Sequence, residues 1–297
     1  MAGEHPLSFI QSAPELGNEY RDDWLLNTWL ESALPEALLA EQRATFDELG
    51  QRSGGEWYRW QQADRLNEPR LIQWSPWGDR VDEVELSPLW RQAKHWAAEY
   101  GIVATGYDKA LGEHARTVQF ARTWLFIPST DFYGCPLAMT DGAARSLADA
   151  GTSELAERAL PHLLARDGDN FWTSGQWMTE TAGGSDVSGT ETVARQDSEG
   201  RWRLKGRKWF TSAATSEMAL TLARPLRNAD EGNPEGSRGL ALFYVEPHDA
   251  EGRLQNIEIL RLKDKLGTRK VPTAELWLDD APATPVAGLD RGVAAIA

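Results

Sequence analysis

The stretch QWMTETAGGSDVSGTETVA, residues 176–194, marks where the chain changes character. A strand-like run ends in Met178 and Thr179, a Gly-Gly-Ser-Asp turn follows at residues 183–186, and alternating threonines then resume. Two readings fit. One is a tight hairpin whose turn is stabilised by Asp186. The other is a shelf for a flat ligand beside a phosphate cradle. In that reading Gly183 and Gly184 permit positive φ and bring backbone amides close to a ligand with no Cβ in the way, while Ser185 adds a hydroxyl donor.

Upstream, to about residue 170, the periodicity is helical. YRDDWLLNTWLESALP sets Trp24, Leu25, Trp29 and Leu30 at helical intervals and Pro35 ends the run. HARTVQFARTWLF aligns Val118, Ala121 and Leu125 on one stripe, with Arg116 and Arg122 polar. TSELAERALPHLLAR offers Thr152 or Ser153 as an N-cap and Leu155, Ala159 and Leu163 as a face, with Pro161 expected to kink or divide the helix. The 14 tryptophans read mostly as core anchors.

Downstream the period becomes two. In RWRLKGRKWFTS, Trp202 and Leu204 alternate with Arg201, Arg203 and Lys205, and QDSEG supplies the turn back to TETVA. MALTLA, GLALFYVE, IEILRL and TAELWL are further strands, which together predict a compact antiparallel sheet or barrel. The polar insert at residues 225–238 reads as a long exposed loop. The fold class is therefore α+β, with an N-terminal helical domain over residues 1–170 and an antiparallel β-barrel-like middle domain over residues 171–285. Residues 286–297, ending GLDRGVAAIA, read as the start of a further domain.

Composition narrows the function. A chain of 297 residues accommodates about two domains. The formal net charge of -14 opposes nonspecific DNA binding, which needs clustered Lys and Arg. The lone Cys135 excludes an intramolecular disulfide and reads as a small buried hydrophobe. The five histidines are isolated, so no metal site is expected, and no hydrolase elbow, dinucleotide fingerprint or P-loop is present. No apolar run reaches membrane-spanning length, and the start MAGEHPLSFIQ lacks the charged and apolar regions of a signal peptide, so the expected compartment is the cytoplasm.

A second stretch, GRKWFTSAA at residues 206–214, offers a tryptophan and two hydroxyls at a strand end, and Trp209 reads either as core or as a ligand wall. Taken in order, MTETAGGSDVSGTETVA, KGRKWFTS and KDKLGTRKVPTAELWLDD resemble the acyl-CoA dehydrogenase superfamily. CPLAMTDGAARSL, residues 135–147, is similar to the family's lead-in to its flavin domain, and the extension containing NEPRLIQWSPWGDRVDEVELSPLW is similar to the AidB-like branch, associated with the response to DNA alkylation.

The resemblance implies an N-terminal helical domain, a middle β domain and a C-terminal helical bundle around FAD, the last not contained in these residues. Carried over by motif position, Met178 and Thr179 meet the pyrimidine edge of the flavin. Gly184 and Ser185 lie at the pyrophosphate, with Ser185 also near the entry of an acyl-CoA thioester. Trp209 packs on the flavin face, and Phe210, Thr211 and Ser212 line its N5 edge. An apolar plate and aimed donors suit a ring that gains negative charge on reduction. The block at residues 265–276 is implied to be structural, and Lys208 and Arg269 read as solvated or interdomain charges. The family's catalytic base, a bundle glutamate, is implied to lie outside this chain, so no catalytic residue is assigned here. The chain alone is expected to retain flavin weakly. The intact protein is expected to be a homotetramer, with any DNA contact made by the C-terminal part.

Overall fold

The computed structural model describes residues 12–226 and 235–296. Asp23 caps α1 (Trp24–Ala33) by accepting from the Leu26 amide, and Pro35 stands at the junction with α2 (Glu36–Arg52). A π turn, Ser53–Trp57, leads into α3 (Tyr58–Ala63). Ser87 caps α4 (Pro88–Glu99), and α5 (Ala115–Phe126) and α6 (Gly134–Ala150) follow. Thr152 caps α7 (Ser153–Leu163), which runs through Pro161 in its last turn without dividing. Val118, Ala121 and Leu125 are buried as expected, and Trp57 stacks on Trp96 at 4.8 Å between ring centroids.

Two expectations for this half are corrected. The buried face of α1 is Leu26 and Leu30, one turn apart, which rotates Trp24, Leu25 and Trp29 outward. Trp77 and Trp124 are exposed as well, so the tryptophans are not uniformly core anchors. The half also contains an antiparallel hairpin, β1 (Arg70–Trp74) and β2 (Arg80–Glu85), turned at Gly78 with φ of 94°. Its paired Leu71 and Val84 pack against the barrel core.

The second half comprises β3 (Ser174–Trp177), β4 (Val193–Gln196), β5 (Trp202–Ser212), β6 (Met218–Pro225), β7 (Ala241–Val245), β8 (Ile257–Leu262) and β9 (Thr273–Pro285). The pairings β6–β4, β4–β5, β5–β9, β9–β7 and β7–β6 close a ring, so the sheet is barrel-like as expected. It is not purely antiparallel: β3 and β4 both run parallel to β6, along one of its edges. Ala219, Ala223 and Phe243 fill the barrel, while Met218, Leu220, Leu222, Leu242 and Tyr244 pack outward on α6 and α7. Both faces of β6 are thus buried, and each buried leucine contributes about 1.5–3 kcal/mol. A short α8 (Gly292–Ile296) contacts β7. Residues 227–234, most of the insert read as an exposed loop, lie outside the described residues, as do residues 1–11 and 297.

The edge strand β8 is covered by the hairpin. The Ile259 amide donates to Asp82 Oδ2 at 2.9 Å, and its carbonyl accepts from Gln73 and Arg80, both at 3.1 Å. A strand edge that would otherwise present open backbone groups is satisfied by side chains from about 180 residues away in sequence.

Candidate functional site

Because β3 and β4 lie on the same edge of β6, the chain between them, residues 178–192, has to leave the barrel wall and return. Glu180 and Gly183 exchange backbone hydrogen bonds at 3.0 and 3.2 Å, so the tight turn is Thr181 and Ala182, just before the glycines. Neither Gly183 nor Gly184 has a positive φ, which corrects the expected reason for their presence. Close approach requires them instead. A Cβ on Gly183 would stand 2.2 Å from the Asp186 carbonyl oxygen, and one on Gly184 would stand 2.9 Å from Thr179 Cγ2. Asp186 Oδ1 accepts from the Ser188 amide at 2.9 Å, which holds the turn and leaves Gly184 and Ser185 exposed.

Across the rim, the Trp209 amide donates to the Thr179 carbonyl at 2.9 Å. Thr179, Gly184 and Trp209 are thereby gathered at one place, with Ser185 next in the chain. Met178 is half-buried, its side chain packed toward the cluster formed by α6, α7 and β6. Phe210 is exposed beside Trp209. Thr211 is fully buried and donates its hydroxyl to the Ala274 carbonyl at 2.6 Å, and Ser212 Oγ lies 3.2 Å from Thr273 Oγ1. Both side chains thus bond to β9.

Beneath the rim lies a buried ion pair that corrects the reading of Lys208 as a solvated or interdomain charge. Lys208 Nζ is 2.6 Å from Glu180 Oε1, with side chains 0% and 2% exposed, and it also donates to the Leu222 carbonyl at 2.7 Å. Burial pushes the Lys208 ammonium below its ordinary value, against the pull of Glu180. Sequence position does carry a signal for this: if Trp209 faces outward on a strand, Lys208 faces inward. Arg269 fits the interdomain alternative, pairing with Glu68 at 2.6 Å.

The outer face around Trp209 is cationic. Lys263 Nζ lies 3.3 Å from the ring centroid, and the Arg207 and Arg261 guanidiniums lie at 5.2 and 5.8 Å. All three bond Glu275, at 2.8, 2.5 and 2.6 Å respectively. Burial opposes the Glu275 charge, but hydrogen bonds from Arg261, Lys263 and Arg207 prevail and hold the carboxyl at about 2. Three cations against one carboxylate make a local positive surface on an acidic chain.

This arrangement suits a flat ligand with an anionic tail: aromatic surface at Trp209 and Phe210, cations beside it, and exposed amide and hydroxyl donors at Gly184 and Ser185. Cys135 is half-buried, and burial pushes its thiol up. Among the described residues no group of His, Cys, Asp or Glu is placed to hold a metal ion, and no helix is long and apolar enough to cross a membrane.

Comparison with known proteins identifies the family. Residues 175–281 match the family model "Acyl-CoA dehydrogenase, middle domain", and residues 12–170 match "Adaptive response protein AidB N-terminal domain". The chain is 42% identical to acyl-CoA dehydrogenase family member 11 of Caenorhabditis elegans, over 97% of this chain and 47% of that protein. It is 30% identical to AidB of Escherichia coli (strain K12), over 73% of this chain and 39% of that one. Among solved structures, C. elegans ACDH-11 in complex with C11-CoA superposes with a TM-score of 0.93 at 40% identity, covering 100% of this chain and 51% of that one. The chain thus spans about half the length of the relatives it matches.

Proposed function

Because this chain belongs to the acyl-CoA dehydrogenase superfamily, in its AidB-like branch, we propose that it forms the flavin-binding part of an FAD-dependent oxidoreductase acting on an acyl-CoA thioester. The single observation that carries this reading is the junction of Thr179 with Trp209 on the barrel rim, beside the exposed Gly184 and Ser185. FAD, when bound, supplies the hydride acceptor for α,β-dehydrogenation. Met178 and Thr179 offer backbone groups and a hydroxyl to the ring edge, Trp209 offers an aromatic plate, and Phe210, Thr211 and Ser212 form the adjoining edge. Gly184 and Ser185 offer donors to the pyrophosphate, and Ser185 also borders the thioester entry.

No carboxylate of this site is assigned as the base. Glu180 is spent on Lys208, and Asp186 on its own turn. The base belongs instead to a helical segment outside these residues, without which FAD is held weakly. ACDH-11 crystallised with C11-CoA, which makes thioesters of about that length the first to test. The intact protein is assigned as a cytoplasmic homotetramer.

Purifying the full-length gene product with added FAD tests this reading. Retention of about one FAD per chain after gel filtration is expected, and protein that emerges colourless overturns it. A second reading, protection of DNA against alkylation, is favoured by the match of residues 12–170 to the AidB model. With a net charge of -14, DNA contact is then expected outside this segment, as salt-dependent binding by the full-length protein alone.

A further inference from the structure

Thr179 and Trp209 meet through the backbone, and their chain neighbours Glu180 and Lys208 meet through side chains directly beneath them. The Glu180 carboxylate does more than pair with Lys208. It accepts from the Glu191 amide at 2.7 Å, the Thr192 hydroxyl at 2.5 Å and the Thr192 amide at 3.3 Å. Residues 181–190 therefore leave and re-enter the barrel at the same carboxylate. Lys208 extends the grip by donating to the Leu222 carbonyl in β6, a strand buried on both faces. Gly206 makes room for this closure, because a Cβ there would stand 2.5 Å from Thr192 Oγ1.

The energetics call for a role other than stability. Replacing a buried ion pair by apolar side chains of similar size is often neutral or stabilising, since desolvation of the two charges offsets their attraction. What the pair supplies here is position: it fixes loop 181–190 and the strand end at Trp209 to one frame. We propose that Glu180 and Lys208 are a positioning pair for the cofactor site, clasping the loop that carries Gly184 and Ser185 and fixing it against Trp209. This rests on the flavin reading above. Neither residue is assigned contact with FAD, and both act through their neighbours.

The test uses the full-length gene product and the double variant Glu180→Leu/Lys208→Met, with two readouts. The first is amide exchange of the protein without FAD. The amides of Trp209, Glu191 and Thr192 are expected to exchange at least about tenfold faster in the variant, beyond the change in β7, which reports any fall in global stability from the Glu191 and Thr192 donors left without an acceptor. The second is FAD binding, expected to weaken at least about tenfold, with an altered visible circular dichroism spectrum of the bound flavin. Unchanged exchange and unchanged FAD affinity overturn the proposal, as does a loss of affinity in folded protein whose Trp209, Glu191 and Thr192 amides exchange no faster. If the double variant does not fold, Glu180→Gln, which keeps an acceptor oxygen but loses the charge, is expected to show smaller losses in both readouts, and their absence overturns the proposal. If the unaltered protein takes up no FAD, the flavin reading fails and with it the cofactor role, while exchange still decides whether the pair clasps the loop.

Discussion

Lys263 places its ammonium 3.3 Å from the centroid of the Trp209 ring and bonds Glu275 with the same group. Arg207 and Arg261 approach the same ring, so three cations surround Trp209 at the barrel rim. Trp209→Ala is expected to weaken FAD binding by about tenfold, equivalent to about 1.4 kcal/mol, while moving the thermal midpoint only a few degrees. Fluorimetric titration of the full-length gene product checks this, and Trp209→Phe is expected to retain most of the affinity.

Gly183 and Gly184 make separable predictions. A Cβ on Gly183 meets a backbone oxygen, which has little freedom to move, whereas one on Gly184 meets a threonine methyl. Gly183→Ala is therefore expected to cost about 1–3 kcal/mol and Gly184→Ala less than about 1 kcal/mol. Urea unfolding of the two variants measures the difference, and equal costs would refute the close-approach account.

Acid should weaken the fold through Glu275. Its carboxyl sits at about 2 in the folded protein against an ordinary value of 4.5, so the unfolded chain binds its proton more readily. The stabilisation is complete above 4.5 and is lost as pH falls from there toward about 2. Glu275→Gln should lower stability at pH 7 and flatten this acid limb relative to the unaltered protein. Unfolding midpoints compared between pH 7 and pH 3 give the answer.

Removal of Asp82 tests the hairpin's attachment to the barrel. Asp82→Ala leaves the buried Ile259 amide without its acceptor, at a cost of about 1–3 kcal/mol. Faster limited proteolysis between residues 70 and 85, with the barrel intact, is the expected outcome.

Much of the barrel was legible because its strands alternate locally. β8 spans the IEILRL stretch and β5 all but the first residue of RWRLKGRKWFTS, and the Thr152 cap and the Leu155, Ala159, Leu163 face of α7 follow from helical spacing. What escaped depends on distant partners. The hairpin at residues 70–85 gains its reason from β8, and the parallel pairing of β3 and β4 requires β6 between them in space but after them in sequence. Lys208 reads as a solvated or interdomain charge in sequence because its partner Glu180 lies 28 residues away and charges are usually exposed. Local pattern identified the turn at residues 183–186 as special, but only packing reveals that the glycines answer to Asp186 and Thr179 rather than to φ.

The most direct test of the central claim is an anaerobic absorbance titration of the FAD-loaded full-length gene product with acyl-CoA thioesters of graded chain length. The account predicts that at least one thioester bleaches the oxidised-flavin band stoichiometrically. A tightly held flavin that no thioester reduces would contradict dehydrogenation and leave a flavoprotein whose work is binding.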